Sequence, residues 1–215
     1  MKFKNSIKKI TKTQFLYIFL RGTVVIAFIL FFVQGDWVDA VSTAGIFLLM
    51  TVPTFLKERY KTQTPLELDV ALSVFVYATL FLGSFHNYYE KFPWFDGALH
   101  FLSGILLGMI GFVLVYLLNQ SQSKHIHLSP GFISFFAVSF SALMSVLWEI
   151  FEFAVDSLLG FNMQESGIPD TMGDFIVNLL GALVVAVFGY VWMKNQGKVP
   201  FSEKGLASGG DNYPR

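Results

Sequence analysis

Long apolar runs are the feature that most constrains what this chain can fold into. A helical run of about 20 apolar residues crosses the roughly 30 Å hydrocarbon core of a bilayer. Charged residues make up only 14% of the chain, well below the roughly 25% of soluble domains. The sequence therefore predicts an all-α polytopic membrane bundle of about six transmembrane helices. These spans cover about residues 15–33, 38–56, 68–85, 95–118, 132–155 and 171–193.

Basic residues indicate the orientation of the bundle. The two terminal segments and the loops after the second and fourth spans hold 13 of the 15 Lys and Arg residues. By the positive-inside rule, both termini are expected in the cytoplasm. Residues 1–195 are predicted to form one transmembrane domain and residues 196–215 a disordered cytoplasmic tail. The basic start and first apolar run also fit a signal peptide, with Val38-Asp39-Ala40 as its cleavage pattern.

Three spans carry polar side chains at helical spacing, which is costly inside a bilayer. Residues three or four apart lie on one face of a helix. The polar faces comprise Asp96 and His100 on the fourth span, Glu149, Glu152 and Asp156 on the fifth, and Asp170, Asp174 and Asn178 on the sixth, which Gln164 precedes. The topology places all of them in the extracytoplasmic half.

The depth of each residue along its span predicts a polar site that opens to the extracytoplasmic side. His100, Glu149 and Asp174 are expected to lie deep, because each is one or two turns further from the helix end than its acidic neighbour. The residues expected near the mouth are Asp96, Asp156 and Asp170. Asp170 or Thr171 would alternatively cap the last helix. Arg21, inside the first span, is expected either to extend to the cytoplasmic headgroups or to find a partner in the bundle.

The excess of acids on this side must be balanced by protons, by a metal cation or by a cationic substrate. Carboxylates with one imidazole suit Zn, Mn, Mg or Ca, and the chain has no Cys. For the second of these alternatives the cofactor would be a divalent metal ion, with Asp96, His100, Glu149 and Asp174 as its predicted ligands. The same four residues and Glu152 are the predicted catalytic groups. The predicted substrate-binding residues are Asp156, Gln164, Asp170 and Asn178.

Three functions fit these features. The first is a metal- or acid–base-dependent enzyme that acts on a lipid or a lipid-linked envelope precursor. The second is a small transporter for protons or cations, for which a homodimer would supply the wider path. The third is a non-catalytic envelope scaffold with a structural polar core. Membrane lipids are expected partners in each case, and the balanced charge and lack of a basic motif argue against nucleic acid.

Several motifs occur in the order found in a known family. They are Tyr89 to Asp96, His100 to Gly104, Leu147 to Phe153, Met163-Gln164, and Asp170-Thr171 with Asp174, Asn178 and Gly181. Over roughly residues 65–195 the chain resembles the uncharacterised bacterial inner-membrane proteins of the YjdF kind. It is more weakly similar to VanZ-like proteins, which show an Asp then His-Phe, a Glu then Gln, and an Asp-Asp-Asn-Gly run. The resemblance implies a bacterial cell-envelope protein, placed as a multi-pass protein in the cytoplasmic membrane.

Overall fold

A computed structural model describes residues 11–60, 66–86, 88–120, 128–160, 163–164, 167–197 and 199–200. Across these ranges the regular structure is entirely helical. The helices are α1 (Lys12–Gln34), α2 (Trp37–Tyr60), α3 (Leu66–Val76) followed by a π-helix (Tyr77–Phe85), α4 (Tyr88–Lys91), α5 (Phe95–Gln120), α6 (Pro130–Leu159) and α7 (Ile168–Gln196).

The helices confirm a polytopic membrane bundle but not all six spans. Within the described ranges, four helices are long and apolar enough to cross a membrane: α1, α5 over Phe95–Val115, α6 over Pro130–Leu158, and α7. The predicted second and third spans are helical, but their apolar stretches are shorter, Asp39–Val52 and Asp69–Gly83.

The described residues form two compact units, the first comprising α1 to the π-helix and the second α4 to α7. In the first unit, Arg21 on α1 donates a hydrogen bond to the Met50 carbonyl on α2. Its guanidinium stands 3.7 Å from the ring centroid of Tyr17, and Asp69 supplies an opposite charge. These contacts supply the partner inside the bundle that was one of the two expectations for Arg21.

The second unit is a bundle of α5, α6 and α7 that packs through glycine. A Cβ atom on Gly104 of α5 would overlap the Asn178 carbonyl of α7, and one on Gly181 of α7 would overlap the Phe101 carbonyl. Two turns further along α5, a Cβ on Gly111 would lie 2.8 Å from the Ala137 Cα of α6. The helix backbones therefore touch directly, as small-residue motifs allow in membrane proteins.

An apolar cluster fills one end of this three-helix bundle. It lies in the C-terminal half of α5 and α7 and the N-terminal half of α6, so it is opposite the acidic ends. Its buried members are Phe112, Val115, Ile133, Ala137, Val185, Met193 and Val199. Val199 follows the end of α7 and packs into the cluster, whereas residues 201–215 of the predicted tail lie outside the described residues. Apolar side chains therefore fill the end of the bundle opposite its polar residues.

Candidate metal site in the membrane bundle

The three helices of the second unit bring three carboxylates around one imidazole. Asp96 and His100 share a face of α5, Glu149 projects from α6 and Asp174 from α7. The His100 Nε2 atom lies 3.7 Å from Asp96 Oδ1, 4.0 Å from Glu149 Oε1 and 3.9 Å from Asp174 Oδ2. We call these four residues the His100 cluster. No single helix could supply it, because its donors come from all three.

Burial follows the order expected from the sequence. His100, Glu149 and Asp174 are 8%, 3% and 6% exposed, whereas Asp96 is only partly buried. Neither carboxylate oxygen of Glu149 has a hydrogen-bond partner in the part of the chain that the structure describes, and Ser145 Oγ, one turn away on α6, has none either. A carboxylate buried without partners is strongly unfavourable unless a cation or proton balances it.

A hydrogen-bond network lies one turn below the cluster and fixes the three helices. Asn178 on α7 donates from Nδ2 to Ser103 Oγ at 2.9 Å and to the His100 carbonyl at 3.4 Å. Its Oδ1 accepts a hydrogen bond from Ser141 Oγ of α6 at 3.2 Å. Asn178 therefore links α5, α6 and α7 and holds the α5 backbone at His100. Both polar atoms of its side chain are hydrogen-bonded to other residues of the protein.

Glu152 occupies a different position from Glu149, although the two are three residues apart on α6. Its Oε1 accepts a hydrogen bond at 2.8 Å from Nε1 of Trp148, and it is 9% exposed. It lies within electrostatic range of Glu149, Asp96 and Asp170. Glu152 is therefore a neighbour of the His100 cluster with a neutral partner of its own.

Asp156 and Gln164 shape the connection between α6 and α7. The Asp156 carboxylate accepts hydrogen bonds from the backbone N–H of Met163 at 2.7 Å and of Gln164 at 2.9 Å. The Gln164 side chain donates to Thr171 Oγ1 at 3.0 Å. These contacts do not join the two residues to the His100 cluster, and their predicted substrate-binding role stays a prediction.

The start of α7 corrects the expectation that Asp170 or Thr171 caps this helix. The helix begins at Ile168, and its N-cap is Gly167 with a φ of 69° and no side-chain cap. Pro169 in the first turn moves the helix start ahead of Asp170, because proline fits that position. Asp170 thus lies in the first turn, within electrostatic range of Asp96 and His100.

Comparison with known families shows to which of them the chain belongs. A family model described as "Predicted membrane protein (DUF2238)" matches residues 16–195. The chain belongs to the DUF2238 family. It is also similar to an "Uncharacterized protein" of Thermotoga maritima, with 33% identity over 127 residues, which is 58% of this chain and 61% of the relative. The match therefore spans about three fifths of that relative. No solved structure matches the chain.

The donor atoms of this DUF2238 protein fit a divalent cation. One donor atom each from Asp96, His100 and Asp174 lies within 4.8 Å of the others. A tetrahedral ion with bonds of about 2.1 Å separates its donors by about 3.4 Å. The distances from His100 Nε2 to the three carboxylates, 3.7–4.0 Å, exceed this value by a few tenths of an ångström, whereas the Asp96 and Asp174 oxygens lie only within 4.8 Å of each other. Ion binding would therefore require side-chain rotations that bring these oxygens closer. Glu149 is not one of the three grouped donors, and its Oε1 lies 4.0 Å from His100 Nε2.

Sequence reasoning missed several partners of the DUF2238 site. Trp148 and Glu152 are four residues apart, a spacing that allows the observed hydrogen bond. Ser103 and Ser141 are small polar residues, and nothing in their spacing indicates that Asn178 bonds to both. Such contacts depend on the register between helices, which helical spacing does not define.

Proposed function

We propose that this DUF2238 protein is a divalent-metal-dependent membrane enzyme that acts on a lipid or lipid-linked envelope substrate from the predicted extracytoplasmic side. One observation carries the proposal: the buried Glu149 carboxylate faces His100 without a hydrogen-bond partner among the described residues. A group placed in this way either takes up a proton or is balanced by a cation, and we assign it a cation. The His100 cluster supplies the remaining donors for a cation.

Each of the four members of the His100 cluster would contribute a donor atom to the ion. His100 would bind through Nε2, and Asp96, Glu149 and Asp174 would each contribute a carboxylate oxygen. This set of one nitrogen and three oxygens favours Mn²⁺ or Zn²⁺ over soft metals. An ion held in this way supplies Lewis-acid chemistry. Glu152 is the neighbouring carboxylate that we assign to proton transfer, since Trp148 fixes its position.

The opposite end of the bundle favours an enzyme over a transporter. A transport path would have to continue from the His100 cluster to the other membrane face. Phe112, Ile133 and Met193 fill that region and are completely or almost completely buried. Because these apolar side chains leave no polar route through the described part of the bundle, the site is better suited to chemistry at one face.

The polar network also argues against a purely structural role for the acids. Asn178, Ser103 and Ser141 already join the three helices by hydrogen bonds. Glu149 adds no hydrogen bond to this network. A scaffold would gain stability by replacing a buried, unpartnered carboxylate with an apolar residue. The presence of the Glu149 carboxylate is better explained by a bound cation.

Metal analysis of the purified protein tests the proposal. The detergent-solubilised chain is stripped with a chelator, dialysed, and titrated with Mn²⁺ and Zn²⁺ by calorimetry, and bound metal is measured by mass spectrometry. We expect one ion per chain, with affinity reduced at least about tenfold in Glu149→Gln and Asp174→Asn, since each loses a charged ligand. Glu58→Gln, an exposed acid on α2 of the first unit, is the control with unchanged affinity.

Two results would contradict the metal site. One is a folded wild-type protein that binds neither ion. The other is a Glu149→Gln variant that binds as tightly as the wild type, since this would leave the buried carboxylate without a part in binding.

A further inference from the structure

We infer that Ser145 is a positioning residue for the metal ion: its hydroxyl donates a hydrogen bond to the Glu149 carboxylate and so holds that carboxylate as a ligand. The inference rests on the proposed function, because it gives Ser145 a part in metal binding. It comes from two polar side chains of α6 that are buried one turn apart, both without a hydrogen-bond partner among the described residues.

Ser145 belongs to a row of buried polar residues along α6. Ser141, Ser145 and Glu149 follow one another at a spacing of four residues and are 0%, 4% and 3% exposed, so they lie on one helix face. Ser141 bonds to Asn178 of α7. Glu149 approaches His100 of α5. This face of α6 therefore points towards the other two helices, and Ser145 lies between the hydrogen-bond network and the His100 cluster.

The Ser145 hydroxyl is not used by its own helix. Helical Ser and Thr side chains often donate to the backbone carbonyl three or four residues earlier, as do Thr23, Thr43, Thr51, Ser73, Thr79 and Ser103 in this protein. Ser145 Oγ makes no such bond and meets no other partner in the part of the chain that the structure describes. A buried hydroxyl without a partner is unfavourable, so we expect it to bond to a group on this face.

Glu149 is the acceptor that this face offers. Residues four apart on a helix are neighbours, with Cβ atoms about 5–6 Å apart. A long helical side chain leans towards the helix N-terminus, which directs Glu149 towards the turn that holds Ser145. Neither oxygen of Glu149 has a hydrogen-bond partner within the described ranges. In the proposed site one oxygen binds the ion, so the other is left for the Ser145 hydroxyl, and rotation of the two side chains would bring donor and acceptor together.

Such a bond would complete the support of the metal ligands. A hydrogen bond from a neighbouring residue fixes the orientation of a ligand, and its loss typically lowers metal affinity by about 10–100-fold. Asn178 already supports the α5 backbone at His100, whereas no hydrogen bond from a described residue supports the Glu149 side chain. Ser145 is placed to supply that support.

Metal titration of serine variants tests the inference. The full-length protein in detergent is titrated with Mn²⁺ by calorimetry. Ser145→Ala should bind Mn²⁺ about tenfold more weakly than the wild type, and Ser145→Thr, which keeps the hydroxyl, should restore most of the affinity. Ser134→Ala is the matched control. Ser134 is also buried on α6 with an unpartnered Oγ, but it is 15 residues from Glu149, about 22 Å along the helix, so its removal should leave affinity unchanged.

Two further measurements separate positioning from packing. With chelator present, Ser145→Ala should unfold at the same temperature as the wild type or higher, because it removes a buried hydroxyl that has no partner among the described residues. In a Glu149→Met background, Ser145→Ala should not weaken Mn²⁺ binding further, because the carboxylate through which Ser145 acts is absent.

The outcomes separate this inference from the proposed function. Wild-type Mn²⁺ binding that Ser145→Ala leaves unchanged refutes the inference alone. The same holds for an equal loss in Ser145→Thr, for a loss that persists in the Glu149→Met background, and for a lower unfolding temperature of Ser145→Ala in chelator. A folded wild type without Mn²⁺ binding refutes the proposed function, and this inference with it. A loss in Ser145→Ala that threonine restores, at full stability in chelator, supports both.

Discussion

The effect of Asp174→Asn on stability should change sign when metal is added. The donor atoms of Asp96, His100 and Asp174 lie within 4.8 Å of one another, a distance at which two full negative charges repel by about 3.5 kcal/mol at an effective dielectric of 20. A proton shared between the carboxylates would reduce this repulsion in the metal-free protein. The asparagine removes one charge at nearly equal volume, so the metal-free variant should be as stable as the wild type or more stable by a fraction of that value.

Metal should have the opposite effect on the two proteins. A ligand at about 100 times its dissociation constant stabilises the folded state by about 2.7 kcal/mol. For a chain of this size each kcal/mol raises the unfolding temperature by about 2–4 °C. The wild type should therefore gain roughly 5–11 °C with Mn²⁺, and Asp174→Asn should gain little, because it has lost a ligand.

Intrinsic fluorescence reports this directly, since Trp148 lies on the same helix as Glu149. Thermal unfolding in detergent is followed for both proteins with chelator and with Mn²⁺. The metal interpretation is refuted if Asp174→Asn is less stable without metal and both proteins respond equally to Mn²⁺. That pattern would mean that Asp174 serves the helix contacts and does not bind an ion.

Three further substitutions probe the surroundings of the site. Gly104→Ala places a Cβ against the Asn178 carbonyl and should lower Mn²⁺ affinity by tenfold or more in a calorimetric titration, while Gly97→Ala, which meets open space, should not. Asn178→Leu removes the hydrogen bonds of Asn178 to Ser103, Ser141 and the His100 carbonyl and should destabilise the protein by about 1–3 kcal/mol in thermal melts; an unchanged melting temperature would contradict the network. Arg21→Met removes the bond to the Met50 carbonyl and should lower stability similarly without changing Mn²⁺ affinity, since Arg21 belongs to the first unit.

The sequence predicts the fold class and the polar faces because both depend on local periodicity. Apolar length identified four helices that meet the requirement for a span, and spacing by four residues put Asp96 and His100 on one face. The second and third predicted spans show the limit of this reasoning. Their described apolar stretches, Asp39–Val52 and Asp69–Gly83, are shorter than the other four, and whether each helix crosses the membrane depends on packing that the run itself does not encode.

The contacts between helices could not be predicted in the same way. Glu149 and Glu152 are three residues apart on one helix and have the same chemistry, yet one faces His100 and the other bonds to Trp148. Asp156 continues the same polar face but binds the backbone of the next connection. The difference arises from the rotation of α6 against α5 and α7, which no pattern within α6 specifies.

Packing and chemistry in this bundle follow from the same residues. Aspartate has a short side chain, so Asp96 and Asp174 reach the same imidazole nitrogen only if α5 and α7 are in close contact. Gly104 lies one turn from His100 and permits that contact, because any Cβ there would strike the α7 backbone. Asn178, one turn beyond Asp174, lies at the same contact between α5 and α7 and donates a hydrogen bond to the His100 carbonyl. A change at the crossing should therefore alter ligand binding before it unfolds the bundle, because the Asp carboxylates have no spare length with which to follow a helix that moves away.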